Sequence, residues 1–335
     1  MTNHETLMRR AMHMAATART HARPNPWVGA VVVCVDGSVF EGATQPPGGP
    51  HAEIVALAAA TAVGADVRGA TLYSTLEPCS HTGRTGPCTT AIIDAGIAHV
   101  VAAITDPDSN VSGTGFAALR AAGVQVTEGV CAEEATAQLA PYLHHRRTGR
   151  PFVMLKMAST LDARTFIPDG PRWITGEAAR IRVHQLRAES DAILVGAETV
   201  RVDDPELTVR SVAGESPRRI VLSRTGNISA DAKVHPCIVW DKSIEALLDD
   251  LGADGVIQLM VEGGPTIATE FHALGLINRY VFHIAPTVSG SDTAPGIFVG
   301  DATNPLVDCH VVSATALGAD LEIVMDPIRE KAGTP

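Results

Sequence analysis

Three things are scarce in this 335-residue chain: aromatic side chains, at 4% with 3 Trp and 3 Tyr, an excess of basic charge, and any long apolar run. Few aromatics leave few platforms for stacking bases, and a formal net charge of -11 leaves no clustered Lys and Arg to release counterions. A broad grip on nucleic acid is therefore not expected, although a few local arginines can still hold a small anion. No stretch approaches the roughly 18 apolar residues of a membrane span. The opening MTNHETLMRRAMHMAATART is interrupted by Arg9, Arg10 and His13 before an apolar core of signal-peptide length forms. Repeats and low-complexity segments are also absent.

What is present is ordinary globular material, 45% apolar and 19% charged, in a chain longer than most single cores, which predicts two domains. Six cysteines (Cys34, Cys79, Cys88, Cys131, Cys237 and Cys309) could pair in a small secreted protein. In a large chain without an export signal they read as reduced thiols in a cytoplasmic protein, some of them available to metal.

The first half alternates strand and helix patterns: VGAVVVCV, HAEIVALAAA, ATLYSTLE, PCTTAIIDAG, HVVAAI and GFAALRAAG. This is the pattern of an α/β sheet with helices on its faces. A helix over CAEEATAQLAPYLHHRR, kinked at Pro141, leads to TGRP at 148 to 151, where the domain boundary is expected. The second half repeats the alternation, with a helix around GEAARIRVHQLRAES, strands at FVMLKMAS, DAILVGA, RRIVLS, CIVWD and VIQLMVEGG, a helix at PTIATEFHALG, and a closing strand at RYVFHIAPTVSG.

The chemistry concentrates in two short stretches, PHAE at 50 to 53 and TLEPCSHTGRTGPC at 75 to 88. Pro50 predicts a helix start with His51 in its first turn and Glu53 two residues on, while Cys79 follows a strand and Cys88 opens another helix after Pro87. One imidazole and two thiolates leave a fourth tetrahedral position open, as in a catalytic zinc site, where bound water has a pKa near 7. Taken singly, a His-x-Glu is common and a buried Cys is usually a small hydrophobe. Together they form the H-x-E, P-C and second Cys of zinc nucleobase deaminases, in which the Glu moves protons and does not bind metal.

With NPWVGAVVV (25 to 33) and DPDSNVSGTG (106 to 115), these motifs resemble the N-terminal half of the bifunctional riboflavin-biosynthesis deaminase/reductase family. The SHTGRT insert between the cysteines is characteristic of it. The resemblance implies zinc on His51, Cys79 and Cys88, Glu53 as proton carrier and Asn25 holding the pyrimidine. Asn25 before Pro26 would otherwise read as a turn residue. Gly86 stands where the family more often has proline.

Two glycine patterns compete for a cofactor in the rest of the chain. Gly113, Gly115 and Ala118, with Glu133 or Glu134 beyond, match a dinucleotide fingerprint in spacing, but a polar loop separates them from the preceding strand. VIQLMVEGGPTIATEF offers a strand, two glycines and a helix N-terminus able to face a phosphate. KMASTLDART, RWITG, HQLRAESDAILVGAETVRVDDPELTVR and VEGGPT resemble the family's reductase half.

The whole resemblance implies a cytidine-deaminase-like three-layer α/β/α deaminase domain over 1-147. It implies a dihydrofolate-reductase-like α/β domain using NADPH over 151-335, and a homodimer through that second domain. By position it places Ala158, Trp173, Thr199, Asp203, Gly264, Pro265 and Thr266 on the cofactor, and Arg187, Leu207, Arg210 and Glu262 on a phosphorylated pyrimidine ribosylamine. Without it, Trp173 reads as core, Asp203 as a turn residue, and the arginines as surface charges.

Four departures from the family bear on the reductase: Ala163 for a glycine, Pro171 for a substrate-binding serine, a loop before RWITG one residue short, and Ser223 for an aspartate. They keep a rival reading open, in which the second domain only binds nucleotide or scaffolds a dimer. A second rival, a nucleic-acid base deaminase, is disfavoured by the charge and the few aromatics.

Overall fold

The computed structural model describes residues 3–81, 86–108, 112–167, 170–300 and 305–328, and the chain divides into two compact units, 1–149 and 150–335. The first contains α1 (Asn3–Ala18), β1 (Gly29–Val33), β2 (Val39–Ala43), α2 (Ala52–Ala62), β3 (Thr71–Ser74), α3 (Cys88–Asp94), β4 (His99–Ala102), α4 (Thr114–Ala121), β5 (Gln125–Glu128), α5 (Ala132–Gln138) and α6 (Ala140–Thr148). Its sheet runs β2-β1-β3-β4-β5, antiparallel at β2-β1 and β1-β3 and parallel from β3 to β5.

Two glycines show how the helices cover both faces. Gly29 pairs with Ala43 and Gly42 with Ala30, so Gly29 and Gly42 point to opposite faces. A Cβ on Gly29 would lie 1.9 Å from the Ala11 carbonyl oxygen in α1, and one on Gly42 2.1 Å from that of Ala52 in α2. Helix and strand backbones touch at both places, giving three layers.

Two expectations shift slightly. His51 is the N-cap of α2 and not in its first turn. The helix expected to kink at Pro141 is two helices that break at Leu139, with Pro141 in the first turn of α6, where a missing N–H costs nothing.

The second unit contains β6 (Phe152–Ser159), α7 (Glu177–Ala188), β7 (Ala192–Gly196), α8 (Ala197–Asp203), β8 (Arg218–Leu222), β9 (Ile238–Trp240), α9 (Ile244–Ala253), β10 (Gln258–Val261), α10 (Pro265–Ala273), β11 (Arg279–Ile284), β12 (Cys309–Leu317) and β13 (Asp320–Pro327). Its eight strands lie in the order β12-β13-β11-β6-β10-β7-β8-β9, parallel except where β13 joins β11 and β12. Strand alternation sends Leu155, Leu194, Ile220 and Leu259 to one core with Leu247 and Phe271, and Met154, Ile193, Val221 and Met260 to the other with Val183 and Leu186. The closing hairpin β12–β13 was not anticipated from the sequence.

Candidate active sites

In the first unit three loops deliver one nitrogen and two sulfurs to a point. His51 caps α2, Cys79 lies beyond the end of β3, and Cys88 opens α3. His51 Nδ1 lies 3.3 Å from Cys88 Sγ and 3.6 Å from Cys79 Sγ, and the three ligand atoms all fall within 4.8 Å of one another. Zn–N bonds of about 2.0 Å and Zn–S bonds of about 2.3 Å at tetrahedral angles require separations of about 3.5 to 3.8 Å. The donor set and its spacing therefore fit zinc.

The electrostatics favour a cation there. The Cys88 thiol, donating to Cys79, and then His51 pull the Cys79 thiol down to about 4 against its burial. The same contact with Cys79, together with burial beside Glu53, pushes Cys88 well up, so a second thiolate needs positive charge among the ligands. The contact with Cys79 raises His51. Glu53 is 3% exposed, with Oε2 3.6 Å from Cys88 Sγ, and burial raises its carboxyl above the ordinary range. A carboxyl held this way can carry a proton beside the metal site.

A cavity of about 260 Å³ opens onto this cluster, and Asn25, Glu53, Asp106, Asp108, Tyr142 and Arg146 line it. Asn25 thus lines the same cavity as Glu53. Glu77 lines the same cavity and went unremarked in the sequence. Its carboxylate accepts the Gly113 and Gly115 N–H groups, which fills the helix start that the dinucleotide fingerprint would have required. Residues 82–85 and 109–111 of the quoted motifs lie outside the described residues.

In the second unit a cavity of about 890 Å³ opens at the carboxyl ends of β6, β10 and β7, the edge where parallel α/β sheets bind ligands. Ala158, Trp173, Thr199, Asp203, Gly264 and Pro265 line it. So do Arg187, Leu207, Arg210 and Glu262. Thr266 is in the first turn of α10, outside that lining. The turn after β10 needs its glycines: Gly264 has φ +25, and a Cβ on Gly263 or on Gly264 would stand 3.3 Å from Thr199 Oγ1.

The arginines differ in how they are engaged. Arg187 spends its fork on Glu262, Nε to Oε2 at 2.8 Å and Nη2 to Oε1 at 2.9 Å, and gives Nη1 to the Thr208 carbonyl. Arg210 is about half exposed and bonds Glu206 through Nη1 at 2.7 Å. Lys156, passed over in the sequence inside an apolar run, also lines the cavity. Its ammonium has no hydrogen bond or ion pair among the described residues, and burial lowers its pKa. Ala163, Pro171 and Ser223 are all outside the lining, although Pro171 adjoins Arg172 and Trp173 within it.

Comparison with known proteins matches both units. Residues 1–104 match the cytidine and deoxycytidylate deaminase zinc-binding region, and residues 151–323 the RibD C-terminal domain. The riboflavin biosynthesis protein RibD of Aquifex aeolicus is 40% identical over 323 residues, covering 88% of this chain and 89% of its own. That of Escherichia coli is 37% identical over 342 residues, covering 88% and 92%. Among solved structures, Acinetobacter baumannii RibD superposes with a TM-score of 0.88 at 33% identity, covering 97% of this chain and 99% of that one. A Thermotoga maritima diaminohydroxyphosphoribosylaminopyrimidine deaminase/5-amino-6-(5-phosphoribosylamino)uracil reductase gives 0.86 at 34%, with coverage of 97% and 99%. The two units have the cytidine-deaminase-like and dihydrofolate-reductase-like folds of these proteins. This chain belongs to the bifunctional RibD deaminase/reductase family of riboflavin biosynthesis, with a zinc-binding deaminase half and an NADPH-dependent reductase half.

Proposed function

We propose that residues 1-147 deaminate a diaminopyrimidinone ribosylamine 5'-phosphate, the substrate class named for the Thermotoga maritima relative, and that residues 151-335 reduce its ribosyl chain to ribityl. The observation that carries the deaminase assignment is the His51, Cys79 and Cys88 triangle with buried Glu53 against it in a cavity that also holds Asn25. Zinc held by these three side chains supplies the Lewis acidity that makes a water nucleophilic near neutrality. Glu53 would take a proton from the attacking water and return it to the departing ammonia, so that water enters and ammonia leaves with no net proton change. Asn25 orients the ring from the cavity wall.

In the second unit, Gly264, Pro265, Thr266, Thr199, Ala158, Trp173 and Asp203 hold NADPH, which supplies the hydride. Glu262 fixes Arg187, and the more exposed Arg210 meets the phosphate of the substrate beside Leu207. Arg210→Ala should then weaken the phosphorylated substrate far more than NADPH.

The chain forms a homodimer through the second unit, a reading supported by the exposed Val311 and Val312 on the outermost strand β12. It works in the cytoplasm, a reading supported by six unpaired thiols. Mass spectrometry after incubating the zinc-loaded chain with the ribosylamine phosphate and NADPH tests the division of labour. A product both deaminated and reduced is expected. Deaminated product alone would leave the second unit as a nucleotide-binding scaffold.

A further inference from the structure

Glu77 lies two residues before Cys79, is 3% exposed, and makes no ion pair among the described residues. Backbone N–H groups hold its carboxyl oxygens instead. Oε1 accepts from Gly115 at 2.9 Å and Phe116 at 3.2 Å, and Oε2 accepts from Gly113 at 3.0 Å and Asp106 at 3.2 Å. A carboxylate has about four acceptor sites, and here all are used. Two of the donors, on Gly115 and Phe116, are open N–H groups of the first turn of α4, and its N-cap, Gly113, has no side chain to satisfy them. The fit is close, since a Cβ on Gly115 would stand 2.1 Å from the Pro78 carbonyl oxygen and 3.1 Å from Glu77 Oε1.

The contact joins the peptide that carries Cys79 to the peptide that carries Asp106 and Asp108, both of which line the cavity. Ser80 Oγ and Thr114 Oγ1, 2.7 Å apart, tie the same two segments a second time. On the tied segment Asp106 and Asp108 face the cavity. The Tyr142 hydroxyl donates to Asp106 at 3.2 and 3.3 Å, and the Asp108 N–H donates to it at 2.9 Å. Glu77 thus holds the Asp106 backbone N–H through its carboxylate, beside the bond from its own N–H to the Ile104 carbonyl at 2.9 Å.

We infer that Glu77 is a positioning residue of the deaminase site, fixing the Asp106–Asp108 wall against the zinc-binding loop so that this wall is in place to bind the pyrimidine substrate. This rests on reading the cavity as the deaminase site, which is tested separately: a Glu53→Gln variant that still deaminates would remove that reading whatever Glu77 does.

The test is Glu77→Gln in the full-length, zinc-loaded chain. The amide nitrogen would face two N–H donors and release half the clamp without changing side-chain size. Zinc content should equal wild type, deaminase KM should rise at least about tenfold with kcat within about threefold, and the reductase KM should not move. Gly115→Ala, whose Cβ would press on the Pro78 carbonyl beside Cys79 and on Glu77 Oε1 while keeping the carboxylate, should give the same KM signature in the fraction that retains zinc. A fall in kcat at unchanged KM, as a smaller folded fraction would produce, or loss of zinc with both constants, would overturn the inference. Should neither variant fold, amide exchange in the wild-type holoenzyme decides it: slow exchange at Asp106, Gly113, Gly115 and Phe116 supports the clamp, and fast exchange at these four overturns it.

Discussion

Arg187 and Glu262 form a two-pronged ion pair, 2.8 and 2.9 Å, on the wall of the reductase cavity, with side chains only 10% and 18% exposed. Burial alone would push the Glu262 carboxyl up, but Arg187, its hydrogen bonds and Lys156 outweigh this and hold it below the ordinary range. Removing one member of such a pair leaves the other charge buried and uncompensated, a cost of about 3 to 5 kcal/mol. Glu262→Ala should therefore lower the melting temperature of the second unit by on the order of 10 °C and abolish NADPH oxidation. Deaminase activity should persist, and a variant with wild-type melting would show that the pair has no structural weight.

Ala163 sits at φ +62, a left-handed conformation that costs a non-glycine residue about 1 to 2 kcal/mol. The turn is held by the Ala163 N–H donating to Thr160 and the Ala163 carbonyl accepting from Ile297, so it cannot simply relax. Ala163→Gly, after the larger unfolded-state entropy of glycine is set against the strain, should stabilise the second unit by about 0.5 to 1 kcal/mol. Denaturant midpoints measure it. No gain would mean that the φ is not strained in solution.

His283 and Glu322 pair across β11 and β13 at 3.0 Å, and Arg182 donates to the same carboxylate at 3.1 Å. Burial, with Lys156 and Arg182 nearby, holds the imidazole below its ordinary value despite Glu322. Burial raises Glu322, but His283 and Arg182 outweigh it and leave a net lowering. As pH falls through about 6.5 the unfolded chain takes up a histidine proton that the native chain refuses, and below about 4.3 the same holds for the carboxylate. Both contributions are present at neutral pH and lost on acidification. The second unit should melt progressively lower from pH 7 to pH 4, and His283→Gln should flatten the part of that profile between about 7 and 5.5. An unchanged profile would exclude His283 as its source.

The parts of the molecule that were legible in the sequence are those whose chemistry is local. His51 and Glu53 fall in four residues, and Cys79 and Cys88 each stand beside a proline that marks the turn, so residue type and spacing were enough to predict the cluster. Glu77 was not legible because its four donors lie 29 to 39 residues further on and are backbone groups, which any residue supplies. Lys156 was hidden in FVMLKMAS, where one charge inside a buried strand breaks no period. The β12–β13 hairpin escaped because β12 is an edge strand largely exposed along its length, leaving little apolar contrast to read. Arg187 by type alone reads as a surface charge, and only the fold shows it buried with its fork turned to Glu262.

The central claim is that Glu53 moves the proton in a site whose metal is held by His51, Cys79 and Cys88. It is tested most directly by ammonia release from the zinc-loaded Glu53→Gln variant, with zinc measured in the same sample. The account predicts wild-type zinc and ammonia release reduced by about 10² to 10⁴-fold, the range expected for loss of a general acid–base group. Ammonia release at the wild-type rate from the fully metallated variant would contradict it.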